Sequence, residues 1–377
     1  MKSLYFVFDQ IPPPQSGGLI GVYRNIFQEL KKDYNIKLVS IYNCEESYKK
    51  EFSDYQIIIL NNYNIDNRFF RIVKYLKNRE LKKVFKAIYS GILFFLFIPI
   101  CRIKLKNYFY DNDKIIVTSP AAAIYMSKDN RFILEIHTKY EYFWKGSIAS
   151  KLQVKLMTDP SLVVFRTKID AKKAKCNKYK TDYIYNFAGE KIIRKVNVEN
   201  RIGKFIFMGR LDKNKDPIRL IKIFESVKKE GKNVKLDIYG IGELEKNIKK
   251  YIEENRLENF ISLKGFTTDK TVYNNYSAIV SASINEGLPL SILEAKRYGV
   301  PAIVLPWGDS TNEVVNNGVD GYIVKDNKEF EEKINEMITN TEQLKQLSIN
   351  SLNSYENFTT SRFKVRYIEF IESYNKD

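Results

Sequence analysis

The chain has 377 residues, of which 44% are hydrophobic, and carries a formal net charge of +17. This length exceeds what one hydrophobic core usually organises, so a small single-core domain is excluded and two domains are favoured. The apolar share excludes a disordered chain, and three widely spaced cysteines exclude a disulfide scaffold and favour a reducing, cytoplasmic setting. The first residues show no signal-peptide pattern.

The positive charge is concentrated in the first half of the chain. Residues 1–200 hold 35 lysines and arginines against 19 acidic residues, whereas residues 201–377 are nearly balanced at 27 against 26. Such a field attracts an anionic partner, for which nucleic acid, an acidic polymer and an anionic membrane surface are the open choices. A basic surface that only keeps the protein soluble is the alternative.

Strand-like and helix-like segments alternate through the first half. Short apolar runs rich in β-branched residues predict strands at 4–8, 36–41, 56–60, 114–118, 132–136, 162–165 and 182–185. Amphipathic patterns predict helices at 19–32, 68–98 and 168–176. Because parallel strands need crossover helices, this alternation predicts a doubly wound parallel sheet.

One segment is apolar enough to interact with a membrane. Residues 87–101 contain no charge, and they are flanked by Lys82, Lys83, Lys86, Arg102, Lys104 and Lys106. The run is too short to span a bilayer comfortably, and Pro99 is expected to interrupt it. A helix that lies in a membrane interface and a helix buried in the first domain are both open interpretations.

The second half repeats the alternation after a polar stretch without strands. Strands are predicted at 204–208, 234–239, 260–263, 278–283, 302–305 and 322–324, and helices at 217–230, 243–254, 268–276, 290–298, 311–316 and 361–374. Ser310 and Glu313 fit a capping box for the helix at 311–316. We predict an α/β protein of two Rossmann-like domains that bind ligands at the carboxyl ends of their strands. The boundaries are 1–187 for the first domain, 188–203 for the linker, 204–355 for the second domain and 356–377 for a helix at the domain junction.

The segment 285–295 brings two carboxylates to the start of a helix. Pro289 is placed to begin this helix and Gly299 to end it, so Glu286 lies in the preceding turn and Glu294 about two turns inside. Between the glutamates, the helix N-terminus offers unpaired N–H groups and a positive dipole end, which suit a phosphate. Two solvated glutamates beside an ordinary helix are the alternative.

Arg210 and Lys215 stand five positions apart in the loop after the strand predicted at 204–208. Both are placed to neutralise a diphosphate, although surface lysines are common and Lys215 alone indicates little.

Two places in the first half carry related groups. Gly17 and Gly18 follow the first strand, where glycine lets backbone N–H groups approach a pyrophosphate closely. His137 is the only histidine, and it follows the strand predicted at 132–136. At the carboxyl end of a strand it is a candidate polar contact to a substrate.

These motifs together resemble the retaining glycosyltransferases of family 4, within glycosyl transferases group 1. The resemblance covers most of the chain and is strongest at residues 205–324, where GRLDKNKDP, LDIYGIGEL, LKGF, NEGLPLSILEA, YGVPAIV and NGVDGYIV follow in the family's order and spacing. It implies the GT-B fold, in which two Rossmann-like domains face each other across a cleft and a C-terminal helix crosses back.

The resemblance also implies roles for the site residues. Glu286 would lie against the donor sugar, and Glu294 would hold the ribose hydroxyls. Arg210 and Lys215 would grip the diphosphate, and His137 would lie close to the transferred sugar. The implied catalytic residues are Glu286, His137, Arg210 and Lys215. The implied donor-binding residues are Gly17, Gly18, Arg210, Lys215, Gly265, Phe266, Glu286, Gly287, Leu288, Leu290, Ser291 and Glu294, with the base near Gly265 and Phe266.

A rival motif, Asp111-Asn112-Asp113, fits the D-x-D pattern with which GT-A enzymes hold a divalent ion. It precedes the strand predicted at 114–118, so we interpret it as a loop at the amino edge of the sheet. Arg210 and Lys215 would then replace the charge of a metal, and no metal or other cofactor is expected.

The implied reaction transfers a sugar from a nucleotide diphosphate donor, with UDP expected, to an acceptor hydroxyl with retention at the anomeric carbon. The basic first domain suggests an acceptor at the inner face of the cytoplasmic membrane. It is either a lipid-linked saccharide for capsule, exopolysaccharide or surface glycan, or a polyol-phosphate polymer of the teichoic-acid type. Two other classes stay open: a basic nucleic-acid-binding protein, although no nucleic-acid module is recognised, and a nucleotide-sugar epimerase.

Overall fold

Two compact units make up the protein, one of Met1–Ile184 with Lys364–Asp377 and one of Tyr185–Phe363. The computed structural model describes residues 2–11, 18–43, 46–62, 75–76, 78–110, 112–175, 179–192 and 196–373. Each unit has its own parallel sheet and its own hydrophobic core. Residues 188–203, which are predicted as a linker, are counted with the second unit.

The first unit is built on seven parallel strands in the order β3-β2-β1-β4-β5-β6-β7. They are β1 Lys2–Phe8, β2 Tyr34–Tyr42, β3 Gln56–Asn61, β4 Lys114–Val117, β5 Ile133–Ile136, β6 Leu162–Phe165 and β7 Thr181–Tyr183. Strands β4, β5 and β6 bury every residue, as expected of a sheet covered on both faces. All seven strands predicted for this half are confirmed.

The helices of the first unit include one of 28 residues. They are α1 Gly18–Leu30, α2 Glu46–Glu51, α3 Leu81–Tyr108, α4 Pro120–Ala123, α5 Tyr140–Trp144, α6 Ile148–Leu156 and α7 Lys168–Ala174. The prediction that Pro99 interrupts α3 was wrong, because the helix continues through it. Pro99 is exposed, so the hydrogen bond that a proline cannot make is lost outside the core.

Among the described residues, α3 is the one helix that is long and apolar enough to cross a membrane by length and composition. Its most apolar window is 33% buried inside the protein. One side of the helix packs into the core of the first unit through Phe94, Cys101 and Leu105. A helix buried on all sides is therefore not what 87–101 forms, since it is exposed along one side, and a helix that lies in a membrane interface stays a prediction.

The second unit is built on six parallel strands in the order β10-β9-β8-β11-β12-β13. They are β8 Lys204–Met208, β9 Lys235–Tyr239, β10 Ile261–Gly265, β11 Ala278–Ser281, β12 Ala302–Val304 and β13 Gly321–Ile323. All six predicted strands are confirmed, as is the prediction of an α/β protein with two doubly wound parallel sheets.

Helices cover the second sheet. They are α8 Pro217–Lys229, α9 Glu245–Glu254, α10 Leu290–Arg297, α11 Thr311–Val314, α12 Asn327–Thr339 and α13 Thr341–Ser354, with 3₁₀ turns at Glu199–Arg201, Lys270–Asn275 and Tyr355–Phe358. Sequence analysis missed α12 and α13, although Asp326 and Asn340 cap them with side-chain oxygens.

Two local predictions in the second unit were wrong. Glu294 lies about one turn inside α10 rather than two, since it is the fifth residue of a helix that begins at Leu290. The capping box at α11 does not form: Ser310 accepts a hydrogen bond from the Trp307 indole at 3.3 Å, and Glu313 accepts one from the Tyr185 hydroxyl at 2.9 Å.

The last helix, α14 (Thr360–Ser373), begins in the second unit, and its residues from Lys364 onward belong to the first. There Tyr367 donates to Glu135 Oε1 at 2.7 Å, and Arg366 pairs with Asp182 at 2.9 Å. The C-terminal residues therefore help to build the N-terminal unit.

Candidate active site

The carboxyl edge of the second sheet carries most of the predicted donor residues. Gly265 ends β10, Arg210 follows β8 and Glu286 follows β11, and β9 lies between β10 and β8. Because the strands are parallel and adjacent, these three positions lie along one edge of the sheet. Phe266, directly after β10, is 69% exposed at the same edge.

Glycines hold the strand ends of this edge close together. The Gly209 amide donates to the Tyr239 carbonyl at 3.1 Å, and the Gly240 amide donates to the Gly265 carbonyl at 2.8 Å. Gly240 has a φ of 142°, and a Cβ there would lie 1.8 Å from the Gly209 carbonyl oxygen. Only glycine allows this approach of one backbone to another, and the approach fixes where Arg210 begins.

Asp212 organises the loop that carries both predicted diphosphate ligands. Its Oδ2 pairs with Arg210 Nη2 at 3.1 Å, and its Oδ1 accepts from the Lys215 amide at 2.9 Å. The loop ends at Asp216, which has a φ of 43° and caps α8 by accepting from the Arg219 amide. The Arg210 side chain is 54% exposed, so this ion pair adds little stability and leaves the guanidinium accessible.

A second set of contacts brings Lys215 to Glu286. Asn214 donates to the Asn285 carbonyl at 2.9 Å, and the Ile284 amide donates to the Asn214 carbonyl at 2.8 Å. These bonds join the loop after β8 to the loop after β11. Lys215 Nζ and Glu286 Oε1 consequently lie 2.5 Å apart, with side chains only 17% and 13% exposed.

The first turn of α10 lies directly after Glu286. Gly287 and Leu288 lead to Pro289, which precedes the helix, and the Leu288 carbonyl accepts from buried Asn186 at 3.2 Å. Amides at the first positions of a helix have no acceptor within it, so the N–H groups of Leu290 and Ser291 are available at this end.

Glu294 lies in a polar cluster that sequence analysis missed. Its Oε1 pairs with Lys270 at 3.0 Å, and its Oε2 accepts from the Tyr273 hydroxyl at 3.0 Å. Burial, and then the charge of Glu294, raise the pKa of Tyr273 well above its usual value. Lys270 and Tyr273 come from the 3₁₀ turn after β10, and no local motif indicates that they reach α10.

Not every predicted residue can be placed beside these groups. Gly17 lies outside the described residues, and Gly18 is the first residue of α1 in the first unit. Asp111 of the D-x-D motif is also outside the described residues. Asp113 accepts from the Tyr110 amide at 2.9 Å, directly before β4. The roles assigned to these residues stay predictions.

His137 lies in the first unit, in a buried cluster at the end of β5. Arg166 Nη2 pairs with Glu135 Oε1 at 2.8 Å, with both side chains 1% exposed. Tyr23 donates to Glu135 Oε2 at 3.1 Å, and Tyr367 donates to Oε1. The sequence indicated His137 but not the four residues around it, of which Glu135 is two positions away and Tyr23, Arg166 and Tyr367 come from distant parts of the chain.

The contacts of His137 fix the position of its ring. Nε2 lies 2.9 Å from the Tyr23 hydroxyl, 3.0 Å from Arg166 Nη2 and 3.2 Å from Glu135 Oε2, and Nδ1 lies 3.3 Å from Arg166 Nε. Glu135 can bond only an N–H at Nε2 and Arg166 only a lone pair there, so these contacts hold the ring without selecting one tautomer. A sugar contact by His137 stays a prediction, and it would use a ring that this cluster already orients.

Burial and the ion pair between Glu135 and Arg166 together determine the charges of this cluster. Burial and then the charge of Arg166 lower the pKa of His137 to about 4, so the ring is neutral near pH 7. Burial alone would raise the pKa of Glu135, but Arg166 and the hydrogen bonds from His137 and Tyr367 outweigh it and lower that pKa to about 2. The cluster thus holds one carboxylate, one guanidinium and a neutral imidazole.

Comparison with known proteins shows which family the second half of the chain resembles. Residues 189–353 match the family described as glycosyl transferases group 1. A poly(glycerol-phosphate) alpha-glucosyltransferase of Bacillus subtilis is 34% identical over 131 residues, which are 34% of this chain and 20% of that protein. An amylovoran biosynthesis glycosyltransferase of Erwinia amylovora is 31% identical over 150 residues, which are 39% of this chain and 40% of that protein. The match thus spans about a fifth of the length of the Bacillus subtilis protein and two fifths of the length of the Erwinia amylovora protein.

Solved structures resemble the whole chain. TarM of S. aureus, in complex with fondaparinux, alpha-GlcNAc-glycerol and UDP, has a TM-score of 0.76 at 15% identity, covering 99% of this chain and 100% of that one. HepE of Anabaena, in complex with UDP and glucose, has a TM-score of 0.73 at 16% identity with the same coverage. At these identities the likeness concerns the fold, and it confirms the predicted GT-B class.

The protein therefore shares the two-sheet α/β fold of these structures, and Lys215, Glu286 and Glu294 lie inside the matched region. Residues 189–353, which we call the group 1 region, make up less than half of the chain and are similar to the glycosyl transferases group 1 family.

Proposed function

We propose that the protein is a retaining glycosyltransferase that moves a sugar from a UDP-sugar to a hydroxyl group of a cell-envelope acceptor, at the inner face of the cytoplasmic membrane. One observation carries the proposal: the Lys215–Glu286 pair lies beside the first turn of α10, within the group 1 region. The complexes of HepE and TarM with UDP support UDP as the nucleotide.

The site places positive charge where the reaction develops negative charge. As the bond between the anomeric carbon and the diphosphate oxygen breaks, Arg210, Lys215 and the first amides of α10 stabilise the leaving diphosphate. Glu286 stabilises the sugar, whose anomeric carbon becomes oxocarbenium-like. The leaving phosphate oxygen takes the proton of the acceptor hydroxyl on the same face, and the new bond forms there with retention. In this proposal basic side chains supply the charge that a metal ion supplies elsewhere.

A polyol-phosphate polymer is the second candidate acceptor beside a lipid-linked saccharide. Relatives named poly(glycerol-phosphate) alpha-glucosyltransferase and poly(ribitol-phosphate) alpha-N-acetylglucosaminyltransferase favour it. The excess of basic residues in the first half of the chain fits a polyanionic acceptor, because phosphates along a polymer meet many such charges at once.

The test is transfer from UDP-glucose and UDP-GlcNAc to poly(glycerol-phosphate), poly(ribitol-phosphate) and lipid-linked saccharides. An α-linked product from an α-linked donor, formed at an undiminished rate with EDTA, supports retention without a metal. A β-linked product or loss of the rate with EDTA would overturn these two points.

Variants test the site assignment within the same assay. Glu286→Ala and Arg210→Ala are each expected to lower transfer at least about a hundredfold. Lys213→Ala is the matched control, because Lys213 is an exposed residue of the same loop. Near-normal turnover by both site variants would remove the assignment. Salt-sensitive binding to RNA or DNA without binding to any UDP-sugar would support the nucleic-acid alternative instead.

A further inference from the structure

An exposed apolar stripe runs along α3. Its large side chains are between 44 and 70% exposed: Leu81, Phe85, Ile88, Tyr89, Ile92, Leu96, Ile100 and Ile103. Spacings of three and four residues place these side chains on one side of the helix. At 1.5 Å per residue, the stripe is about 33 Å long. A continuous apolar surface of this length marks a site that another apolar phase covers.

The opposite side of α3 is fixed to the folded first unit. Val84, Ala87, Gly91, Phe94, Cys101 and Leu105 are buried there. Arg102 reinforces the attachment by donating to the Ile124 carbonyl at 3.1 and 2.9 Å, and Asn61 donates to Cys101 Sγ at 3.1 Å. A helix held along one side cannot be surrounded by lipid, so α3 is suited to lie along a membrane rather than to cross it.

The charges around the stripe indicate what covers it. α3 contains no acidic residue, and Lys82, Lys86 and Lys104 are exposed along one edge of the stripe. The Lys104 ammonium also donates to the Leu60 carbonyl. Lysines at the edge of an apolar helix face place ammonium groups at lipid headgroups while the apolar side chains enter the acyl boundary. The charge of a bilayer that complements these lysines is negative.

We propose that α3 is an in-plane anchor that docks the first unit on an anionic membrane surface. Docking requires only the stripe and its lysines, so it does not depend on the proposed sugar transfer. It would keep the first unit where lipid-linked acceptors are displayed.

Vesicle flotation tests the anchor, with phosphatidylcholine vesicles and with vesicles of phosphatidylcholine and phosphatidylglycerol. The full chain is expected to float with the anionic vesicles and far less with the neutral ones. Phe85→Glu with Leu96→Glu is expected to lower binding at least about tenfold, since burying even one such side chain is worth about that factor. Lys82→Gln with Lys86→Gln is expected to lower binding to anionic vesicles roughly fivefold per lysine.

Val319→Glu is the matched control, because Val319 is an exposed apolar residue of the second unit at 44%. This variant is expected to float like the unaltered protein. Cooperative urea unfolding of every variant, followed at Trp144 of the first unit, shows that this unit is folded without reference to UDP, so loss of docking is separable from failure of the proposed function. Equal binding by the Phe85→Glu, Leu96→Glu variant would overturn the proposal. The proposal would also be overturned if the unaltered protein bound no vesicles and instead formed a dimer that the Phe85→Glu, Leu96→Glu variant dissociates.

Discussion

Lys213 and Lys215 are two residues apart and chemically identical, yet the fold gives them different surroundings. Lys213 is exposed, whereas Lys215 is 17% exposed and bonded to Glu286. We expect Lys215→Ala to lower kcat/KM for the UDP-sugar about a hundredfold or more, because a charge aimed at the leaving diphosphate is lost. Lys213→Ala should change it less than about threefold. Steady-state kinetics decide, and equal losses would contradict the assignment of Lys215.

His137 offers a direct measurement of the buried cluster, because it is the only histidine. Its pKa near 4 predicts an imidazole Hε1 resonance that does not shift between pH 8 and 5.5. Arg166→Gln should raise this pKa, because the neighbouring positive charge is removed. The same substitution leaves Glu135 buried without its ion pair, which costs about 3–5 kcal/mol. NMR titration of both proteins checks the pKa, and an unaltered pKa in the variant would contradict the role of Arg166.

The lowered pKa of His137 also predicts how the free energy of unfolding depends on pH. In the unfolded chain its pKa is near 6.5, so as the pH falls from 6.5 to 4 the unfolded state takes up a proton that the folded state does not. The free energy of unfolding that neutral His137 contributes is fully present above pH 6.5. It is lost as the pH falls to 4, by about 3 kcal/mol in all. Urea unfolding at pH 7.5, 6.5 and 5.5 measures the slope. His137→Gln should flatten it, and an unchanged slope in that variant would refute the prediction.

At the scale of elements, two glycines with positive φ allow the cost of backbone strain to be measured apart from the cost of a steric clash. Gly240 lies against the Gly209 carbonyl, whereas a Cβ on Gly231 would meet nothing within 4 Å. Gly231→Ala should cost about 1 kcal/mol from its φ of 80° alone. Gly240→Ala should cost more and also weaken UDP binding, because it displaces the backbone before Arg210. Urea unfolding and calorimetric titration with UDP measure both effects. Equal effects of the two variants would show that the close approach is unimportant.

Sequence patterns predicted the strands and helices better than they predicted the contacts between them. Each strand among the described residues was predicted, and continuous apolar runs such as Leu162–Phe165 reflect burial on both faces. The helices α12 and α13 were missed although their apolar residues recur every three or four positions, at Phe330, Ile334 and Met337 in α12 and at Leu344 and Leu347 in α13. Pro99 was misjudged because the hydrogen bond that it cannot make is lost at an exposed position of α3 and not in the core, so the helix continues through it.

The motifs of the candidate site were visible in the sequence, but their partners were not. Glu286 and Glu294 follow a local pattern, whereas Lys270, which pairs with Glu294, is 24 residues away from it along the chain. Arg166 and Tyr367 meet Glu135 only because strands and the last helix converge. Such pairs depend on tertiary structure, and a single sequence carries no local signal for them.

At the scale of the whole molecule, each unit contains one of the two tryptophans, Trp144 in the first and Trp307 in the second. Variants with a single tryptophan therefore follow each unit by fluorescence. In this background Tyr367→Phe should lower the stability reported by Trp144 by about 1–3 kcal/mol, since Glu135 loses a buried donor. The transition reported by Trp307 should not move. Val365→Ala is the control, because Val365 is 61% exposed on the same helix. Equal shifts at both tryptophans would contradict the prediction.

The return of α14 to the first unit also bears on how the chain matures during synthesis. A ribosome makes Glu135 and Arg166 about two hundred residues before Tyr367, which bonds Glu135. Multidomain chains usually complete their N-terminal domain first. Here the second unit has all of its residues once Phe363 has been made, while the first still lacks its last helical segment. The first unit is thus completed only after the second, and nascent chains stopped before Tyr367 would carry a complete group 1 region together with an unfinished first unit.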